Sequence, residues 1–291
     1  MFTGIYAPIP TPLAQDEISW SALADNVNKW GQTALSGLVV LGSNGEFALL
    51  SEHEKITLVE RVRRDLPREK RVIAGTGCET TRDTIRLTAE CAAAGADAAL
   101  VLNPYYYKDA YSESSLKQHF LAVADASPVP VMVYNMPKNT GLNLSAKLVC
   151  ELAAHPNIVG VKDSSGNIVQ IAEICAGTPA DFAVFAGSGS FLLAALAVGA
   201  VGGTLAVANI MPTVCIQLVH SFLANRLDEA RELQAKLLAP NHAVTAKFGI
   251  AGLKAALDYL GYYGGDPRPP LLPLTPAERE QLYGTLRAAG L

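Results

Sequence analysis

Eight short apolar runs punctuate the chain, most of them followed by a stretch of helical periodicity. This alternation narrows the possible folds more than any other feature. The runs fall at residues 5–9, 37–41, 72–74, 98–102, 129–134, 158–162, 183–186 and 204–207. Most are near-continuously hydrophobic, as parallel strands covered on both faces should be. Ser51-Glu52-His53-Glu54 is a capping box opening a helix that carries Ile56, Leu58, Val59 and Val62. Residues 80–94, 114–124 and 146–154 read as helices too. This is the strand count of an α/β (β/α)8 TIM barrel. A doubly wound open sheet is the rival, but Gly75-Thr76-Gly77 lacks the later glycine of a dinucleotide fingerprint. The 291 residues, half of them hydrophobic, suffice for one large core.

Beyond the last run the pattern is mostly helical, at 214–224, 227–238, 245–260 and 276–289, with a Gly- and Pro-rich loop at 262–270. These helices exceed what a bare barrel needs. The expected organisation is a barrel over residues 1–211 and a C-terminal helical extension over 212–291, packed on it as one structural unit.

The net charge of −4 gives no reason to expect nucleic acid as a partner. The basic run Arg61-Val62-Arg63-Arg64, with Arg68, Lys70 and Arg71, has no interleaved aromatics and reads as a solvated helix end. Five cysteines without a CxxC pair point to reduced thiols in a cytosol-like compartment. No stretch is apolar enough to span a membrane, and no basic leader precedes the first strand-like segment. Cytoplasmic residence is therefore expected; an organelle leader removed beforehand would leave no trace. His53, His119, His155, His220 and His242 form no metal-ligand spacing, so no metal is expected.

The chemistry gathers at the C-terminal ends of the runs, where barrels of this kind carry their active sites. Lys162 closes the sixth run, Ile158-Val159-Gly160-Val161-Lys162. A lysine on a core strand either reaches water or has a task. If burial favours its neutral form, it is a nucleophile able to form an imine with a ketone. Tyr134 ends the fifth run and Tyr105-Tyr106-Tyr107 follows the fourth. Gly42-Ser43-Asn44-Gly45-Glu46 follows the second and can aim amide N–H groups at a carboxylate. Alternation puts Lys162 and Gly160 on the inner face, and Tyr134 with Met132. Asp163, with Ser164 and Gly166, then reads as a helix N-cap. Gly187-Ser188-Gly189-Ser190, after the seventh run, reads as a pocket floor of small residues or, as in many barrels, a phosphate site.

In combination, Gly42 to Glu46, Tyr134-Asn135-Met136-Pro137 with Thr140-Gly141, Val159 to Asp163, and Ala186-Gly187-Ser188 resemble the N-acetylneuraminate lyase and dihydrodipicolinate synthase family of Schiff-base aldolases. The resemblance spans essentially the whole chain. It implies a barrel with a C-terminal helical extension, assembled as a homotetramer built from dimers. It implies a covalent imine of Lys162 with pyruvate or a related 2-oxo acid, and no other cofactor. Ser43 and Asn44 would bind the adjacent carboxylate and Tyr134 would move the proton. Tyr106 matches the position that reaches into a neighbouring subunit's site.

The synthases of this family carry an arginine two residues after the proline of the Tyr134 motif, where it helps to hold a substrate carboxylate. Here Asn139 stands there and cannot make that charged bidentate contact. Ser43-Asn44 also replaces the paired threonines usual in the synthases. With Cys78-Glu79, residues 241–252 and 261–265, these departures resemble the 4-hydroxy-2-oxoglutarate aldolase branch. The expected reaction is cleavage of 4-hydroxy-2-oxoglutarate to pyruvate and glyoxylate. The alternatives are a 2-oxo-3-deoxy sugar acid aldolase or dehydratase, dihydrodipicolinate synthase, or a non-catalytic 2-oxo acid binding protein. Asn139, Ser164 and Gly187-Ser188 are the expected aldehyde contacts, with Lys138 the nearest charge.

Overall fold

A computed structural model describes residues 2–291. Eight parallel strands form a closed barrel: β1 (Gly4–Pro8), β2 (Gly37–Val40), β3 (Arg71–Gly75), β4 (Ala98–Leu102), β5 (Val131–Asn135), β6 (Ile158–Asp163), β7 (Ala183–Ala186) and β8 (Gly202–Thr204). Each pairs with its successor and β8 closes onto β1. The closed barrel rules out the doubly wound alternative.

Outside the sheet run α1 (Trp20–Gly31), α2 (Glu52–Asp65), α3 (Thr81–Ala93), α4 (Glu113–Ala126), the short α5 (Pro137–Thr140), α6 (Ala146–Leu152), α7 (Ile168–Gly177) and α8 (Leu192–Ala197). The chain ends in α9 (Pro212–Leu223), α10 (Leu227–His242), α11 (Gly249–Tyr259) and α12 (Pro276–Ala288), with α11 and α12 lying beyond the barrel. The capping box is present: Ser51 accepts from the Glu54 amide and Glu54 from the Ser51 amide.

Two apolar cores follow from strand alternation. Outward residues such as Val101, Val133, Val161 and Val184 pack under the helices. Inward residues including Tyr6, Val39, Ile73, Leu100, Met132, Tyr134 and Phe185 fill the barrel. Burying the Val, Ile, Leu, Met and Phe side chains among them is worth about 1.5–3 kcal/mol each before chain entropy is charged against it.

Several boundaries differ from expectation, each for a local reason. The fifth strand begins at Val131 because Pro130 has no N–H to offer a ladder. The eighth begins at Gly202 rather than Thr204, and residues 206–209 form a 3-10 turn. Its glycines look like breakers, yet a Cβ on Gly202 would lie 1.9 Å from the Gly4 carbonyl oxygen, so closing the barrel requires one there. The helix expected over 245–260 is a π-helical turn, Ala243–Lys247, followed by α11. The basic run is also not uniformly solvated. Arg63 is buried and donates to the Leu66, Pro67 and Lys70 carbonyls and to Asp97. Lys70 donates to the Thr33 and Leu35 carbonyls. These cations tie loops at the barrel base.

Candidate active site

The pairing of β5 with β6 creates the centre of the site. Val131 pairs with Ile158 but Met132 with Gly160, so Val159 is an extra residue. Above this irregularity Tyr134 stands opposite Lys162 on the inner face and Asn135 opposite Asp163 on the outer face. Lys162 is 4% exposed and Tyr134 5%. Lys162 Nζ sits 4.1 Å from the centroid of the Tyr134 ring. Burial alone would raise the phenol's pKa. The Lys162 ammonium and the Ser43 hydroxyl outweigh it and bring the phenol below its ordinary value.

Behind the barrel wall the outer pair is locked by a buried polar network. Asp163 Oδ2 accepts from Asn135 Nδ2 (2.8 Å) and Gln170 Nε2 (2.9 Å), while Oδ1 accepts from the Ser165 amide (2.8 Å) and hydroxyl (2.5 Å). Asn135 Oδ1 accepts from the Leu144 amide, and Asn143 Nδ2 donates to Gln170 Oε1. Asp163 is thus not the N-cap of α7, a role taken by Asn167. Its four donors pin the strand ends from which Tyr134 and Lys162 project.

Lys162 and Tyr134 open into a cavity of about 540 Å³ at the C-terminal mouth of the barrel. Ser43, Asn44, Asn139, Ser164 and Gly187 line it as well. Ser43 and Asn44 begin a 3-10 turn, whose first amides have no partner within the turn. Ser43 Oγ lies 3.5 Å from the Tyr134 hydroxyl, a loose contact. Ser164 Oγ is buried facing the Tyr134 phenol, which it helps to hold below its ordinary pKa. Gly187 is dictated by that neighbour: a Cβ there would lie 1.9 Å from Ser164 Oγ and 2.7 Å from the Asp163 carbonyl oxygen. Lys138 is exposed on the cavity rim, and no arginine lines the cavity.

The site has a second wall that the sequence reading did not place. Asn241, His242, Val244, Thr245, Ala246, Gly249 and Ile250 enter it from the end of α10, the π-helical turn and the start of α11. Asn241 donates to Ser188 Oγ and accepts from the Gly189 amide, holding the loop after β7 in place. The π-turn was the available signal, since such turns concentrate at functional sites, but its sequence reads as ordinary helix.

Tyr106 is the one expected catalytic residue outside this cavity. It is 74% exposed, packs edge-to-face on Tyr107, and its amide donates to Glu79. Tyr105 instead lines an adjoining, mostly apolar cavity shared with Ser43 and Asn139. Among the described residues no cluster of three His, Cys, Asp or Glu side chains is placed to hold a metal. No helix among them is long and apolar enough to cross a membrane.

The sequence matches the Dihydrodipicolinate synthetase family over residues 1–289. It is 37% identical over 273 residues to the probable mitochondrial 4-hydroxy-2-oxoglutarate aldolase of Emericella nidulans, covering 92% of this chain and 88% of that protein. It is 38% identical to the 4-hydroxy-tetrahydrodipicolinate synthase of Methanoculleus marisnigri, covering 98% and 99%. The synthase name recurs among other similar proteins. The pyruvate complex of dihydrodipicolinate synthase from Acinetobacter baumannii superposes with a TM-score of 0.94 at 31% identity, covering 100% of this chain and 99% of that one. The chain therefore belongs to the dihydrodipicolinate synthetase family, whose members are pyruvate-dependent class I lyases working through a lysine Schiff base.

Proposed function

We propose that this chain cleaves 4-hydroxy-2-oxoglutarate to pyruvate and glyoxylate, with Lys162 as the imine-forming residue. The observation that carries the site assignment is the facing pair on β5 and β6: a buried lysine amine against a buried phenol, at the floor of a cavity lined by Ser43 and Asn44. In its neutral form the Lys162 amine attacks C2, and loss of water leaves a protonated imine. The Tyr134 phenolate takes the proton of the C4 hydroxyl, directly or through a water. The C3–C4 bond breaks, its electron pair flows into the imine, and the aldehyde leaves. Protonation of the enamine at C3 and hydrolysis of the imine release pyruvate and restore the amine. The lowered pKa of the phenol suits it to this task better than an ordinary tyrosine near ~10.

The choice of aldehyde rests on the acceptor end of the cavity. Asn139, Ser164 and Gly187 offer hydrogen bonds and Lys138 a rim cation to the glyoxylate carboxylate, in place of the arginine that holds a substrate carboxylate in the synthases. The name of the Emericella nidulans relative agrees with this reading, whereas the more numerous synthase names weigh towards synthesis, in which the same pyruvate enamine would add to aspartate semialdehyde. A substrate panel separates the two. Cleavage of 4-hydroxy-2-oxoglutarate is expected at a kcat/KM about a hundredfold above 2-oxo-3-deoxy sugar acids, sialic acid, or pyruvate with aspartate semialdehyde. A panel led by condensation with aspartate semialdehyde would overturn the arginine argument and make the chain a synthase.

We further propose a cytoplasmic tetramer of paired dimers, with Tyr106 serving a neighbouring subunit's site. Its exposure, beside the exposed Tyr107, supports a contact surface there.

A further inference from the structure

Lys254 and Glu46 form an ion pair with no solvent exposure on either side chain, Nζ lying 2.5 Å from Oε1. Neither residue lies among those that carry the proposed chemistry. Burying two charges is costly, and hydrophobic replacements of equal volume are often as stable or more so, so such a pair is poor at adding stability. It is good at fixing geometry, and its position shows which geometry. Glu46 ends the turn that carries Ser43 and Asn44. It does so in the left-handed backbone region, φ 59°, and Leu41 enters the turn at φ 62°. Both are non-glycine residues in a conformation that L side chains disfavour, so the turn needs external restraint.

The restraint converges on Glu46 from the C-terminal extension. Lys254 projects from α11 one helical turn beyond Ile250, which lines the cavity. Its ammonium also donates to the Asp266 carbonyl at 2.9 Å. Glu46 Oε2 accepts from the Arg268 amide at 2.7 Å. On the other side, Thr11 Oγ1 donates to the Gly45 carbonyl at 2.7 Å.

We propose that Lys254 is a positioning residue: through Glu46 it holds the Ser43–Asn44 turn in the shape that receives the substrate's 2-oxo acid carboxylate. The proposal rests on the reading of Lys162 as the imine lysine and of that turn as its carboxylate cradle. It adds that the extension, not the barrel alone, builds the cradle.

Borohydride trapping at Lys162 can be titrated with two ketones, pyruvate and acetone, which differ by the carboxylate. In Lys254→Met, the half-saturating pyruvate concentration is expected to rise by about tenfold or more, as removal of one member of a buried pair warrants. The acetone titration should stay at its wild-type position. The double variant Lys254→Met/Glu46→Gln, which leaves no unpaired charge, should recover part of the pyruvate loss. If Lys254→Met does not fold, Glu46→Gln serves the same test, because burial already depresses the Lys254 pKa and its ammonium can shed a proton. Pyruvate and acetone curves that both stay put, or both move together, would overturn the positioning role while leaving the Lys162 assignment standing. A wild-type protein that traps neither ketone at Lys162 would overturn the site reading and this proposal with it.

Discussion

Replacing Asp163 by Asn removes one charge and one acceptor from a carboxylate that accepts four hydrogen bonds with no solvent exposure. An asparagine amide must turn its NH2 either toward the Ser165 amide and hydroxyl or toward the Asn135 and Gln170 amides. Each choice sets donor against donor. Flipping Asn135 strands the Leu144 amide, and flipping Gln170 strands Asn143 Nδ2. Losing charge-assisted bonds and leaving buried donors unpaired costs about 1.5–3 kcal/mol apiece, offset in part by no longer burying a charge, so a net loss of about 3 kcal/mol is expected. An unfolding entropy of about 2 cal/mol/K per residue converts this to a drop of about 5 °C in Tm. Because Asn135 and Asp163 directly follow Tyr134 and Lys162, the loosened strand ends should also lower kcat by about tenfold. Scanning calorimetry and steady-state assays at neutral pH read both. A Tm and kcat equal to wild type would refute the claim that this network holds Lys162 and Tyr134 in place.

Other outcomes follow from the same geometry. The Arg268 guanidinium, together with Ser51, holds Glu54 down to about 2 from its ordinary 4.5. The folded value lies below the unfolded one, so the stabilisation is complete above pH 4.5 and disappears as pH falls toward 2. For this one-fifth-exposed group it is worth at most about 3 kcal/mol before solvent screening. Glu54→Gln should therefore lose less stability than wild type across that window in denaturant titrations, and parallel losses would contradict the assignment. Gly187→Ala places a methyl against the Asp163 carbonyl and Ser164, and should lower kcat/KM by about tenfold or more; normal kinetics would show that the loop yields freely. Tyr134→Phe should lower kcat by about 10² or more while pyruvate still traps on Lys162, and an unchanged kcat would remove the tyrosine from proton transfer.

The barrel and the floor of its site were legible because both are written in short-range periodicity. Continuous apolar runs mark covered strands, and period-two alternation put Lys162 and Tyr134 inward and Asp163 outward. What stayed hidden depends on contacts far apart in sequence. The N-cap reading of Asp163 failed because its partners, Asn135 and Gln170, come from the neighbouring strand and from α7. The start of the eighth strand at Gly202 was hidden because the Gly4 backbone that crowds against it lies at the other end of the sequence. Arg63 read as solvated because the carbonyls that bury it belong to a later turn. Nothing local ties Glu46 to Lys254, and the π-turn that walls the cavity keeps helical composition.

Reduction with borohydride in the presence of pyruvate, followed by peptide mass mapping, tests the central claim most directly. The account predicts one added, reduced three-carbon acid on Lys162 alone, lost in Lys162→Arg while the variant stays folded. An adduct on Lys138, Lys254 or any other lysine, or none at all, would contradict it.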